Sequence, residues 1–458
     1  MLIKIDKYNK GPGLWKINNT ILKNEAYKRD IEALILDIWN NNCAQTPPSR
    51  FDYLKYKIQR ITKQYCKDQA KKQKLKEKEL LNELNILENR SSEATMSHAD
   101  QLRQQELKVE LSVLLEQKAQ GLWIRSRTKQ IEMYEKSNAF FHSIIKENHQ
   151  KHTIVLLKTA QRETTDQKQI LMEIKNFYKE LYSTQFNSSI SYESQRDKAC
   201  FDHFTKFQSE SSNEMETQLT LDELTKSLKQ FSNNKTPGSD GLSKEFYETF
   251  WTLLGPILLQ TFNYCFETGT LSVSQRKGVI SLLHKKGKDK TKVENYRPIS
   301  LLNTDYKILA KTIANRIEKQ IGNIIHSDQI GFIKDRFIGE GIRKICDIME
   351  AAEETTESGY VIQLDFKKAF DSIEWSFLFE TLKQYNFGDI IIAWIKLLYE
   401  RIESCVINGG YTSQWFELQK GLRQGCPLSA YLFLICAEIL ATSIRKNKKN
   451  RRSKNWER

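Results

Sequence analysis

The sequence predicts an α+β protein in which a long, mostly α-helical region precedes a domain of short strands and helices. Residues 51–120 contain neither glycine nor proline and are rich in Lys, Glu, Leu and Gln, all good helix formers. From Asn233 onward glycine and proline return at turns, and short apolar runs alternate with helical patterns. The chain has 458 residues, enough for about two or three domains and at least one large core. Hydrophobic residues at 39% and aromatics at 10% exclude disorder throughout.

Charge narrows the partners. Lys and Arg number 71 against 57 Asp and Glu, a formal charge of +14. That excess suits a polyanion such as nucleic acid, although a solvated lysine-rich surface gives the same balance. The eight cysteines (43, 66, 200, 265, 346, 405, 426 and 436) contain no C-x-x-C pair. Neither a zinc site nor a disulfide framework is indicated, and buried thiols in a reducing compartment are expected. The start MLIKIDKYNK is too polar for a signal peptide. The longest apolar run, Tyr431 to Leu440, contains Glu438 and is too short to span a membrane. An intracellular protein of the cytoplasm or nucleus, without membrane contact, is the expectation.

The elements follow in order. In residues 1–50, Gly11-Pro12-Gly13 is a turn signal and Leu14-Trp15-Lys16-Ile17 reads as a short strand. Residues 51–214 read as a helical linker. Leu80, Leu84 and Leu87 recur at helical spacing, as do Leu107, Leu111, Leu114 and Leu115. Two long antiparallel helices with a break near residues 89–98 are predicted. They serve as a solvated spacer or protein contact, or bind nucleic acid along Lys67 to Lys78. Residues 121–125 and 139–145 mark buried segments, and Asn187 to Asn213 is a polar loop. Thr220 caps a helix ahead of Asp222 and Glu223. A domain boundary is placed near residue 215, with the strand-and-helix domain over 215–445 and a basic tail over 446–458.

Four motifs carry chemistry. Tyr360, Ile362 and Leu364 alternate with Val361, Gln363 and Asp365, which is strand periodicity. Asp365 then sits at a strand end, facing a cleft, with a helix from Trp375 behind it. A hard-metal site fits that arrangement, because Mg²⁺ takes one or two protein carboxylates and completes its shell with phosphate and water. A strand-end carboxylate without a chemical role fits equally. The second motif flanks Arg423 and Gln424 with Gly421 and Gly425, where backbone can approach a ligand closely. A strand with a Gly409-Gly410 hairpin turn precedes it, and a helix from Ser429 to Ile444 follows. The third, residues 234–242, is a fixed loop before a helix near Lys244. The fourth is an apolar strand at Val279, a basic turn at Lys285, Lys286 and Lys288, and a second strand carrying Arg297. Such a hairpin can hold phosphate, or it is simply a solvated basic turn. His284 reads as an ordinary surface histidine.

The strings TPGSDGL (236–242), YRPISLLN (296–303), SDQIGFI (327–333), LDFKKAFDSIEW (364–375) and GLRQGCPLS (421–429) occur in one order. Together they resemble the reverse transcriptase domain of non-LTR retrotransposons, over about residues 230–445. Residues 13–18 resemble the tail of the endonuclease domain preceding such polymerases, and the helices their linker. The resemblance implies a right-hand polymerase with fingers and a partial palm. It also implies two Mg²⁺ ions, an RNA template, a DNA primer and deoxynucleoside triphosphates. By motif, Asp365 resembles the first catalytic, metal-binding aspartate, and Phe366 supplies a carbonyl ligand. Phe370 resembles the aromatic gate against a 2′-hydroxyl. Arg297, Lys285 and Lys286 resemble residues that hold the triphosphate. Arg423, Gln424 and Gly425 resemble the loop beneath nucleotide and template, and Asp371 a structural residue.

The family's next motif, with two adjacent aspartates, has no counterpart, since no Asp-Asp pair occurs in the sequence. Two metals about 3.5–4 Å apart need bridging carboxylates. The expectation is therefore a truncated fragment, without a thumb, that is inactive alone. A noncatalytic nucleic-acid-binding remnant and a helical interaction protein are the alternatives.

Overall fold

The computed structural model describes residues 11–41, 45–93, 97–126, 153–159, 162–185, 205–208, 213–354 and 360–446. Its contacts divide the chain into two units, residues 1–11 with 56–155, and residues 12–55 with 156–458.

After a first helix, α1 (Glu25–Asn41), the glycine-free stretch forms the two long helices its composition predicts. α2 spans Pro47–Glu93 and α3 His98–Ser126. Proline is tolerated where α2 opens, because the first N–H groups of a helix have no intrahelical partner. Ser97 caps α3 by accepting from the Asp100 N–H at 3.2 Å. Leu80, Leu84 and Leu87 of α2 bury against Leu107 and Leu111 of α3. Each fully buried leucine contributes about 1.5–3 kcal/mol. Arg103 pairs with Glu83 at 2.9 Å and Lys76 with Glu110 at 3.0 Å, which fixes an antiparallel register. These exposed pairs specify register more than they stabilise.

The second unit is mixed α and β. A two-residue ladder, β1 (Leu157–Lys158) with β2 (Glu163–Thr164), leads into α4 (Gln167–Leu181), capped by Asp166. α5 (Leu221–Lys229) starts with a full capping box between Thr220 and Glu223. α6 (Lys244–Thr249) is capped by Ser243. α7 (Trp251–Thr268) ends on Gly269 at φ 70°, the left-handed conformation that glycine adopts without strain. One helical turn, α8 (Val273–Arg276), leads into β3 (Lys277–His284). β3 pairs antiparallel with β4 (Tyr296–Leu302) and parallel with β5 (Glu403–Asn408). β5 also pairs with β6 (Tyr411–Thr412) across Gly409 and Gly410, both at positive φ, and with β7 (Phe416–Glu417). Among the described residues α9 (Thr304–Gln320), α10 (Ile338–Glu354), α11 (Trp375–Gln384), α12 (Asp389–Tyr399) and α13 (Ser429–Lys446) also belong to it. β3 lies between two strands, which is why Val279, Ile280 and Leu282 are all buried.

Lys55, in the second unit, is buried among Asp305, Asp52 and Asp240 at 2.8, 3.6 and 3.6 Å. Burial pushes the Asp240 carboxyl up to about 6 against the pull of Lys55, and its three carboxylates hold Lys55 above the usual lysine range.

Several expectations need correction. Residues 360–365 form no strand, and every side chain from Tyr360 to Lys367 is exposed, Tyr360 at 98%. A strand exists only with a partner, and none pairs here among the described residues. Residues 14–17 form no strand and are held by hydrogen bonds from Gly13 N to Gly410 O and from Ile17 N to Gly241 O. Cys346 is exposed, while Cys265, Cys405, Cys426 and Cys436 are buried as expected. The buried segment at 139–145, most of the polar loop 187–213 and the basic tail beyond Lys446 lie outside the described residues. Among the described residues no helix is long and apolar enough to cross a membrane.

Candidate active site

The β3–β4 hairpin fixes the basic turn. Lys285 N donates to Asn295 O at 2.9 Å, and Lys285 Nζ donates to Glu294 O at 3.2 Å. Lys286 projects from the turn into solvent. β4 alternates, so Arg297 is exposed while Tyr296, Pro298 and Ser300 point inward.

The glycine-rich loop docks on β4. Ser300 N donates to Gln424 O at 2.7 Å. Gly425 has φ +112°, and a Cβ there would sit 2.7 Å from Ser300 O. Only glycine allows that approach. Gln424 Nε2 donates to Asp371, at 3.2 Å from Oδ2 and 3.4 Å from Oδ1. The Tyr182 hydroxyl donates to Asp371 Oδ1 at 2.8 Å. Asp371 is buried, and burial raises its carboxyl above the usual range although Tyr182, Lys368, Gln424 and Lys285 all favour the charged form. Lys368 has a left-handed backbone (φ 54°), lies 4.3 Å from the Phe177 ring centre, and is lowered from the usual lysine range by burial. It borders a cleft of about 590 Å³ shared with Phe177, Glu374 and Lys420.

An aromatic cluster lies beside this loop's helix. Phe370 stacks on Phe433 of α13 with ring centres 4.9 Å apart, and Phe366 meets the same ring edge-on at 6.3 Å. Phe433 therefore holds the ring of Phe370.

Thus Gln424, Gly425, Asp371 and the charge of Lys285 come together, with Arg297 on the strand that the loop touches. Asp365 does not join them through any described contact, and it lies in the exposed unpaired segment. Among the described residues no group of three or more His, Cys, Asp or Glu side chains could hold a metal ion. Arg423, expected at the nucleotide, is buried instead: Nη2 donates to Arg276 O at 2.6 Å and Glu403 O at 3.1 Å, and the guanidinium lies over Tyr306. Its role is to tie the loop to β5 and the end of α8. Tyr182, Lys368 and Phe433 were not singled out from the sequence. Tyr182 stands outside the recognisable strings, and Phe433 looks like any apolar helix residue.

Residues 283–454 match the family described as reverse transcriptase (RNA-dependent DNA polymerase). The chain is 31% identical over 439 residues to a Xenopus laevis protein, the transposon TX1 uncharacterized 149 kDa protein, covering 94% of this chain and 33% of that one. The RNA-directed DNA polymerase from mobile element jockey of Drosophila melanogaster is 26% identical over 226 residues, 49% of this chain and 25% of the relative. The Retrovirus-related Pol polyprotein from type-2 retrotransposable element R2DM, also of Drosophila melanogaster, is 25% identical over 212 residues, 46% of this chain and 20% of the relative. The chain thus spans 33% of the first of these relatives, 25% of the second and 20% of the third.

Proposed function

We propose, for a chain that carries a reverse transcriptase domain of the non-LTR retrotransposon kind, that its β3–β4 hairpin and Gln424-Gly425 loop bind the nucleotide and template of RNA-directed DNA synthesis. The observation that carries this is the docking of the glycine loop on β4 through Ser300, beside exposed Arg297. The reaction of this reading is attack by a primer 3′-hydroxyl on the α-phosphate of a deoxynucleoside triphosphate, with pyrophosphate leaving. Arg297, Lys285 and Lys286 neutralise the triphosphate, since guanidinium and ammonium groups are its natural partners. Phe370, stacked on Phe433, presents its ring to the sugar and excludes a 2′-hydroxyl. Gln424 and Gly425 support the base and template. The hairpin belongs to the fingers of a right hand and residues 360–446 to a partial palm. Residues 51–214 act as its helical linker, residues 1–50 as the tail of an endonuclease domain, and the setting is intracellular.

Two Mg²⁺ ions are expected for such chemistry, and the described residues do not fit them. Asp365 offers one carboxylate with the Phe366 carbonyl beside it, in an exposed segment, and among the described residues it belongs to no group of three or more His, Cys, Asp or Glu side chains that could hold a metal ion. Two divalent ions need more negative charge than that. No step is therefore assigned to metal in this polypeptide, and the 458 residues by themselves are read as binding without turnover.

The test is primer extension by the purified chain on an RNA template, alongside binding of the same template–primer across salt. Expected are no Mg²⁺-dependent extension and an affinity that falls steeply with salt, log K dropping by about 0.7–0.9 per tenfold salt for each phosphate neutralised. Robust extension overturns the inactive reading. Salt-independent or absent binding overturns the nucleic-acid reading.

A further inference from the structure

We infer that Tyr182, which lies outside the segment matched to the reverse transcriptase family, is a positioning residue that sets the Gln424-Gly425 loop through Asp371. The inference rests on the reading that this loop faces nucleotide and template. Its support is a chain of contacts across separate parts of the sequence. The ring of Tyr182 is buried and packs over Gly421, where a Cβ would meet it at 3.1 Å. Glycine suits position 421, because a Cβ there would crowd that ring and because its φ of +88° is one that glycine adopts without strain. From there the hydroxyl reaches Asp371 Oδ1, and the same carboxylate accepts from Gln424 Nε2.

The backbone around Tyr182 braces both arms of this arrangement. Gln419 N donates to Tyr182 O at 2.9 Å, and Thr184 Oγ1 donates to Glu374 Oε2 at 2.7 Å. The two arms bond to each other, Leu422 N to Phe370 O and Gly421 N to Ile373 O, each at 2.7 Å. Within that frame the carboxylate still turns about its own Cβ–Cγ bond. The Tyr182 hydroxyl stops that rotation, because its bond at 2.8 Å is the shortest that Asp371 makes to a side chain. A hydrogen bond to a charged acceptor is stronger than a neutral one. Tyr178 of α4 stacks on Tyr182, with ring centres 6.2 Å apart, and keeps its ring in place.

The charge state of Asp371 is the readout that a purely structural tyrosine would not move. Facing the carboxylate are Tyr182 and Tyr178 from the α4 side, Lys368 from its own turn, Lys285 from the β3–β4 hairpin and Gln424 from the loop, while the charge of Arg423 acts on Tyr182. The Tyr182 hydroxyl favours the ionised form. Removing it must raise the pH at which Asp371 takes up its proton.

The experiment follows the ¹⁵N side-chain amide signal of Gln424 through a pH titration of the 458-residue chain, assigned by its loss in Gln424→Ala. In the parent chain the signal moves as Asp371 ionises. In Tyr182→Phe, which keeps the buried ring, the midpoint moves to higher pH, and in Asp371→Asn the transition disappears. A midpoint unchanged in Tyr182→Phe, or a transition that survives Asp371→Asn, overturns the inference. A second arm measures fluorescence anisotropy with an RNA template annealed to a labelled DNA primer at pH 7.5. Tyr182→Phe weakens binding roughly two- to tenfold, the size of one hydrogen bond. The double variant Tyr182→Phe/Asp371→Asn binds no worse than Asp371→Asn. If the titration behaves as stated but binding is unchanged, the positioning stands and the reading of the loop as nucleic-acid-facing fails.

Discussion

Residues 370–374 and 418–426 are bound to each other, to β4 and to the stretch after α4, whereas α10 and residues 360–366 of the same unit bury no side chain at all. The bound region contains buried charge, left-handed backbone at Gly421, at Gly425 and, just before Phe370, at Lys368, and a close approach at Gly425 that only glycine permits. The exposed region is chemically simpler, with Phe366 meeting Phe433 edge-on. Ile338, Ile342, Ile345 and Met349 line one stripe of α10, and Val361, Ile362 and Leu364 follow, all exposed. Strain and buried charge persist only where the surroundings over-determine them. The difference teaches that hydrophobicity alone did not secure a place in this core. Contacts from other parts of the chain did: α10 satisfies its backbone within its own helix and still buries no side chain.

The sharpest way to break the comparison is to disturb the buried charged cluster around Lys55, in the same unit as both regions. Lys55→Met leaves Asp52, Asp240 and Asp305 without their shared cation. A buried charge that loses its partner costs about 3–5 kcal/mol. Urea unfolding followed by circular dichroism is expected to show a loss of that order. A loss under about 1 kcal/mol would mean that water reaches the cluster and that this unit is looser than its burial implies.

The next effect is the pH dependence that Asp240 imposes. Burial raises its carboxyl from 3.8 to about 6 in the folded chain. Between those values the native state holds a proton that the unfolded state has released. Unfolding then releases a proton, so this group's contribution to stability falls as pH rises through the window. Comparing parent and Asp240→Asn at pH 4 and pH 6.5 isolates that contribution. The parent should lose roughly 1–3 kcal/mol relative to the variant across the interval. Parallel stability curves would show that Asp240 titrates normally.

Much of the bound half could be read from local chemistry. The cap at Thr220, the helix start near Lys244, the apolar strand at Val279–Leu283, the Gly409-Gly410 turn and the helix from Ser429 are all encoded by neighbours in sequence. What escaped was decided across the chain. Alternation at 360–365 is a necessary sign of a strand, yet pairing is supplied by other residues, and here none supplies it. Arg423 between two glycines looks poised for a ligand, but the turn aims it inward at the carbonyls of Arg276 and Glu403. Tyr182 lies 189 residues from Asp371, a separation no local pattern reveals.

The smallest expected effect probes the exposed region directly. Ile345 and Leu364 are exposed, at 46% and 74%, so exchanging either for a polar residue removes no buried contact. Surface substitutions of this kind stay within about 0.5 kcal/mol. Ile345→Gln and Leu364→Asn should therefore leave urea unfolding of the 458-residue chain unchanged. They should instead lower its self-association and its binding of a hydrophobic dye, because exposed apolar side chains are sticky in water. Light scattering and dye fluorescence read both. If either substitution destabilised the fold by 2 kcal/mol or more, its side chain would be buried in solution, and the contrast between the two halves would dissolve. Unchanged stability with reduced association leaves the contrast standing and marks α10 and residues 360–366 as a surface whose apolar side chains remain uncovered.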